Sequence, residues 1–356
     1  MFHNNTKADD SSADAICLPK FHADIASTPS STQQIQARLT PQAEPVSDKK
    51  EDITATVTTG FSASFLIGYN ELNFGDQIDE GNFGIVYRGT RNGETVAIKK
   101  LKVFTKKAIE GFRHESEMLA VTQKQSLTQV VRYVGCSMAL SSLASPSYCI
   151  VTELATEGNA YQFVQHLRQF PEAISWRQRY GVMAEMVYAC VEVHAIGMLH
   201  RDLKPHNYLR TADGKMKLAD FGLAMMLGNQ SYKILNSTKG SPAYIAPEIC
   251  THGRYSRESD VFALGSVLYT MAGEGTPFSR AGWTIKKMLS QVARGERAKI
   301  SSSCPAGLAE LINWCWKAEP DERPAAKKLY DELKKLQEQE AKEDVSVQAH
   351  AKSMPS

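Results

Sequence analysis

The chain has 356 residues, 42% hydrophobic and 22% charged, with a formal net charge of +2. That is ample apolar material for a packed core, and a charge so near balance makes no general case for nucleic-acid binding. No apolar run approaches the roughly 18 residues of a membrane span and no apolar signal segment opens the chain, so neither a span nor a secretory signal is expected.

Residues 1–65 are rich in Ser, Thr, Gln, Ala and Asp, with little hydrophobic periodicity. Such a segment cannot bury enough surface to offset its ordering entropy, and a disordered polar tail is expected there. The fold should begin near Tyr69. Between Leu72 and Leu101 an alternating pattern broken by glycines predicts strands, and residues 105–121 predict a helix. Val130–Val134 and Tyr148–Val151 complete a small sheet, with a polar loop expected over Ser137–Ser147. From Thr152 the pattern turns helical. Ser175-Trp176-Arg177-Gln178 fits a capping box, and Trp176, Tyr180, Met183, Val187 and Cys190 then recur at helical spacing as a core stripe. Asp260–Gly265 opens another apolar helix, and Leu329, Leu333 and Leu336 mark one face of a terminal helix. Residues 339–356, rich in Glu, Lys and Gln, are expected to fray into a flexible tail.

The chemistry is concentrated in two places. Residues 200–207 read His-Arg-Asp-Leu-Lys-Pro-His-Asn, and Asp220-Phe221-Gly222 follows shortly after. This short segment holds two carboxylates (Asp202, Asp220), a cation (Lys204) and an amide (Asn207). Phosphoryl transfer needs such a set: a group to orient a hydroxyl, a counter-charge, and oxygen ligands for a hard cation. Upstream, the glycine-broken run 76–89 precedes Val96-Ala97-Ile98-Lys99. A glycine turn between strands lets backbone N–H groups approach phosphate oxygens. Lys99 on an apolar strand needs a carboxylate partner, and Glu115 is the candidate. Gly84–Gly89 has the glycine spacing of a different phosphate loop, but Thr90-Arg91 stands where Lys-Ser/Thr is required, and that reading is rejected.

These motifs, in this order, resemble those of eukaryotic-type protein kinases. The resemblance implies an α+β bilobal fold: a small antiparallel-sheet N-lobe with one key helix, and a larger, mainly helical C-lobe. It places the kinase domain at 69–338, with the N-lobe at 69–152 and the C-lobe at 156–338. It implies ATP and Mg²⁺ as cofactors. Asp202 would accept or steer the substrate hydroxyl's proton, Lys204 would counter charge on the γ-phosphate, and Asn207 and Asp220 would hold the metal. Ile78, Gly81, Gly84, Val86, Ala97, Lys99, Glu115, Thr152, Glu153 and Ala155 would form the nucleotide site. Thr152 would stand at the back of the pocket, and Thr152–Ala155 would be the hinge that meets the adenine edge. His200 would pack on Phe221, Glu248 would pair with Arg323, and Asp260 would brace the catalytic-loop backbone. One departure is visible: Asp79 replaces the first glycine of the family's G-x-G-x-x-G pattern.

Lys204-Pro205 with Ser241 resembles the serine/threonine-directed pattern, and the Thr-Glu hinge, the Gly-Ser-Pro-Ala-Tyr segment and the Asp-Glu-Arg-Pro ending look most like the tyrosine-kinase-like branch. Protein substrates are therefore expected. Dual specificity, a pseudokinase scaffold and an interaction protein working through its tail are the alternatives; the complete catalytic set argues against the second. The resemblance also implies control by activation-loop phosphorylation, with Arg201 pairing with a phosphate on Ser237 or Thr238. Seven scattered cysteines with no Cys-x-x-Cys pair favour free thiols in a reducing compartment. A cytoplasmic location is expected, including a host cytosol if the chain is a secreted bacterial effector.

Overall fold

In the computed structural model, five strands form between Leu72 and Glu153: β1 Leu72–Glu80, β2 Gly84–Arg91, β3 Glu94–Leu101, β4 Tyr133–Leu140 and β5 Pro146–Glu153. They make one sheet in the order β1-β2-β3-β5-β4, with every neighbouring pair antiparallel. The structure describes residues 63–353 apart from 82–83, 103, 141–145 and 280–281, so residues 1–62 of the tail expected over 1–65 lie outside the described residues. The polar loop expected over 137–147 is shorter than that. Ser137 pairs with Cys149 and Leu140 with Pro146, because an antiparallel hairpin satisfies these backbone groups as a loop would not.

Helix α1, Lys106–Lys124, lies against this sheet; the Thr105 hydroxyl caps it by accepting the Ala108 N–H at 3.2 Å. Below the sheet come α2 (Ala160–Gln169), α3 (Trp176–Ala195), α4 (Pro247–His252), α5 (Arg257–Tyr269), α6 (Ile285–Ala293), α7 (Ala306–Cys315) and α8 (Ala326–Ser353). The Ser175–Gln178 capping box forms at the start of α3. Tyr180, Met183, Val187 and Cys190 are buried along it, while Trp176 is half-buried under the Arg179 guanidinium.

Helix α5 is buried on every side from Ser259 to Tyr269, the mark of a helix through the middle of a core. Gly265 permits this: a Cβ there would lie 2.6 Å from the Cys315 Cβ, and the Trp316 indole donates to Ser266 at 3.1 Å across the same contact. Arg323 and Glu248 meet as the sequence implies. The guanidinium donates to the two carboxylate oxygens at 2.7 and 2.8 Å and to the carbonyls of Lys317, Ala318 and Glu258. Both partners are buried; with every donor engaged the pair is tolerable, whereas removing one partner from such a pair costs about 3–5 kcal/mol.

Residues 339–353 differ from expectation. Helix α8 does not fray near 338 but runs to Ser353, since Gln, Glu, Ala and Lys are all good helix formers. Ion pairs one turn apart, such as Lys328–Glu332, support its earlier turns. At the other end, order begins before Tyr69, with a 3-10 turn at Ala63–Phe65.

Candidate active site

The catalytic loop sits between the sheet and α5 because Asp260 holds it from below. Its carboxylate accepts the N–H groups of His200 and Arg201, both at 2.9 Å, and the His194 ring at 3.0 Å. Burial opposes its ionisation, but the bond from His194 and the charges nearby hold its carboxyl below the ordinary value. This anchorage sustains a strained backbone, for Arg201 has φ +70°, a region disfavoured for residues with a Cβ. Nothing in the sequence announced His194, which is 66 residues from Asp260.

Above this anchor the predicted residues converge. Asp202 accepts the Ser241 N–H at 2.9 Å and its hydroxyl at 2.8 Å on one oxygen; the other faces the Lys204 ammonium at 3.0 Å and the Asn207 amide at 3.2 Å. Lys204 also donates to Ser241 Oγ at 3.0 Å. The Asn207 amide nitrogen is committed to Asp202, by its carbonyl at 2.8 Å and its side chain, which leaves Oδ1 as the atom for a cation.

Asp220 reaches the same cleft from the turn after a short strand, β6 (Met216–Leu218), with φ +61°. Its neighbour Phe221 is fully buried, edge-on to His200 at 5.0 Å, and with the phenyl ring inside, the carboxylate is left exposed at the cleft. Surrounding protein opposes its charge, yet Lys99, then His200 and Lys204, outweigh that and hold the Asp220 carboxyl below the usual carboxylate range. An ionised carboxylate and an amide oxygen are hard donors, and they fit Mg²⁺.

Lys99 and Glu115 meet at 2.7 and 2.8 Å. Burial works against the ammonium, but Glu115 and Asp220 raise its pKa, with Asp79 adding a smaller share, so Lys99 stays charged. A Cβ on Gly222 would lie 3.4 Å from Asp220 Oδ1 and 3.7 Å from Glu115 Oε2, so these carboxylates close around one space. The rest of the expected nucleotide site surrounds it. Val86 pairs with Lys99 and Ala97 with Thr152 across adjacent strands, and Ile78 stands 49% exposed on β1. The turn after β1 is closed by the Gly81 N–H on the Gly84 carbonyl at 2.9 Å. Glu153 turns its side chain away, accepting Lys217 and the Arg132 N–H at 2.7 Å each; contact with a nucleotide is left to its backbone and to that of Ala155.

Asp79 is exposed and accepts the Glu80 N–H at 2.8 Å. Asp79→Gly restores backbone freedom and removes a charge from the phosphate side. The KM for ATP is expected to fall by at most about fivefold, the scale of one exposed charge interaction, or to stay the same. A clear rise in steady-state KM would mean that Asp79 makes a favourable contact with the nucleotide.

A bilobal fold with a lysine–glutamate pair, an aspartate in a Ser241-bonded loop and a second aspartate facing both defines a phosphotransferase site of the kinase type. The chain belongs to the protein tyrosine and serine/threonine kinase family, whose signature spans residues 72–333. It is 30% identical over 271 residues to a putative serine/threonine-protein kinase/receptor of Acanthamoeba polyphaga mimivirus, covering 75% of this chain but only 15% of that protein. A tyrosine-protein kinase of Spongilla lacustris is 29% identical, over 81% of this chain and 82% of its own length. A probable LIM domain-containing serine/threonine-protein kinase of Dictyostelium discoideum is 30% identical, over 75% and 40% respectively. Among the described residues no helix is long and apolar enough to cross a membrane.

Proposed function

We propose that this chain transfers the γ-phosphate of ATP to serine and threonine hydroxyls of proteins. The observation that carries the reading is the direct contact of Ser241, in the Gly-Ser-Pro-Ala-Tyr segment where the family docks its peptide substrate, with the Asp202 carboxylate: Ser241 N–H to Asp202 at 2.9 Å, with Lys204 bridging both. A substrate backbone lying along that segment is close to the base. Lys204, set between Asp202 and Ser241, is the residue through which the loop resembles serine/threonine-directed kinases. Mg²⁺ held by Asn207 and Asp220 would supply neutralisation of the charge that develops on the phosphates. Asp202 orients the attacking hydroxyl and takes its proton, with positioning contributing more than basicity. Lys204 offsets charge on the moving group, and Lys99 holds the inner phosphates.

The Spongilla relative is named a tyrosine kinase, which supports dual specificity as a second reading. A degenerate peptide library with Ser, Thr or Tyr acceptors separates them. ATP-dependent labelling of Ser and Thr peptides, absent in Asp202→Asn, is expected; labelling confined to Tyr peptides would overturn the specificity. We extend the reading to control by phosphate on Ser237 or Thr238. In its support, the Nε and Nη2 atoms of Arg201 are buried without a hydrogen-bond partner, and the Tyr255 hydroxyl beside that guanidinium bonds the Ser237 and Lys239 carbonyls at 3.2 Å each.

A further inference from the structure

Residues Ala63–Ile67 lie outside the family span 72–333, yet they are tied to the sheet. Ile67 donates its N–H to the Cys136 carbonyl at 2.8 Å, Leu66 bridges Cys136 in parallel, and the Ile67 side chain is buried among Leu72, Val96, Ile98 and Val151. Strand β4 is shaped to receive them. A Cβ on Gly135, whose φ is +153°, would lie 2.4 Å from the Phe65 carbonyl oxygen and 2.7 Å from Ile67 Cδ1. Those separations are closer than a real Cβ tolerates, so the seat exists only because residue 135 is glycine.

From this seat a line of contacts runs inward to the active site. The Phe65 ring stands 5.1 Å from the Tyr133 ring, and the Lys124 ammonium near the end of α1 lies 6.0 Å from Phe65. Tyr133 is buried on β4 and grips α1 twice: its hydroxyl hydrogen-bonds Ser116 Oγ, and its N–H donates to Gln123 Oε1 at 3.1 Å. Ser116 directly follows Glu115, the partner of Lys99.

We infer that the segment 63–67 is a positioning element for the active site. By seating Phe65 against Tyr133, it fixes the rotation of α1 that aims Glu115 at Lys99. A helix is turned by the partners on its core face, and here two of those partners are one residue, whose ring is backed by Phe65. The inference rests on the kinase reading, since Lys99 matters through the nucleotide it holds.

The test uses the full chain with Phe65→Ala, Gly135→Val and, as the conservative control, Phe65→Tyr. Phe65→Ala and Gly135→Val should each lower kcat/KM for ATP by about tenfold, within the usual range for coupling between separate sites, and leave the peptide KM unchanged. Phe65→Tyr should stay near wild type. Unchanged kinetics in the first two variants would overturn the inference. So would a fall in kcat that only tracks the folded fraction, with the ATP KM intact, because that is the signature of lost stability. A wild-type chain that does not turn over would defeat the kinase reading itself. Titration with Mg·ADP then decides the positioning role, for which weaker binding in Phe65→Ala counts in favour and equal binding counts against.

Discussion

Asp220→Asn is expected to reduce turnover by several orders of magnitude while leaving the fold intact. The substitution keeps the shape of the side chain and removes its charge. That charge is what the site is built to maintain: Lys99, His200 and Lys204 together overcome the cost of the protein environment and keep the carboxyl ionised. A neutral amide there is a poorer ligand for a hard divalent cation, and the phosphates would lose the neutralisation that makes the transfer possible. Turnover measured across a Mg²⁺ titration, with thermal unfolding as the control for folding, gives the result. Near-wild-type turnover at ordinary Mg²⁺ would end the proposed mechanism.

The second large effect is expected at Arg201. Its guanidinium donates to the Leu223 carbonyl at 3.1 Å and stacks on the Tyr255 ring at 4.3 Å, which leaves two nitrogens buried and unsatisfied. Buried donors without partners are costly, and a phosphate on the nearby loop would satisfy them. Such a group adds about −1.5 to −2 charge and three acceptor oxygens. The active protein is therefore expected to carry phosphate on Ser237 or Thr238, and the double Ala variant to lose most of its activity. Arg201→Ala should produce a similar loss, and the changes combined should cost little more than either alone, as for two halves of one interaction. Mass spectrometry locates the phosphate, and rates before and after phosphatase treatment measure its effect. Full activity in the dephosphorylated protein would rule the switch out.

The bearing of the sequence on the site differs from residue to residue. Asp202, Lys204 and Asn207 were legible because they fall within one short loop, where chain connectivity already brings their side chains together. Lys99 and Glu115 were legible as a pair because an ammonium on an apolar strand demands a counter-charge, which leaves few candidates. The capping box of α3 and the all-round apolar character of α5 were likewise local, since helix periodicity and cap chemistry are written within a few residues. The length of α8 was not legible: a polar composition reads as a tail, yet a helix already nucleated by its apolar face propagates through Glu, Gln, Ala and Lys at little cost.

The sequence alone therefore determined the class of fold, the order of its elements and the identity of most groups at the centre of the cleft. Tertiary structure decided what those groups are held by. His194 supports Asp260, Lys217 draws the Glu153 side chain away from the cleft, Ser241 reaches Asp202, and Phe65 backs Tyr133 behind Glu115. Each of these contacts joins residues 39 to 68 positions apart. No periodicity or motif spans such separations; only the packing of the sheet and helices against one another brings such partners within reach, and it does so one specific orientation at a time.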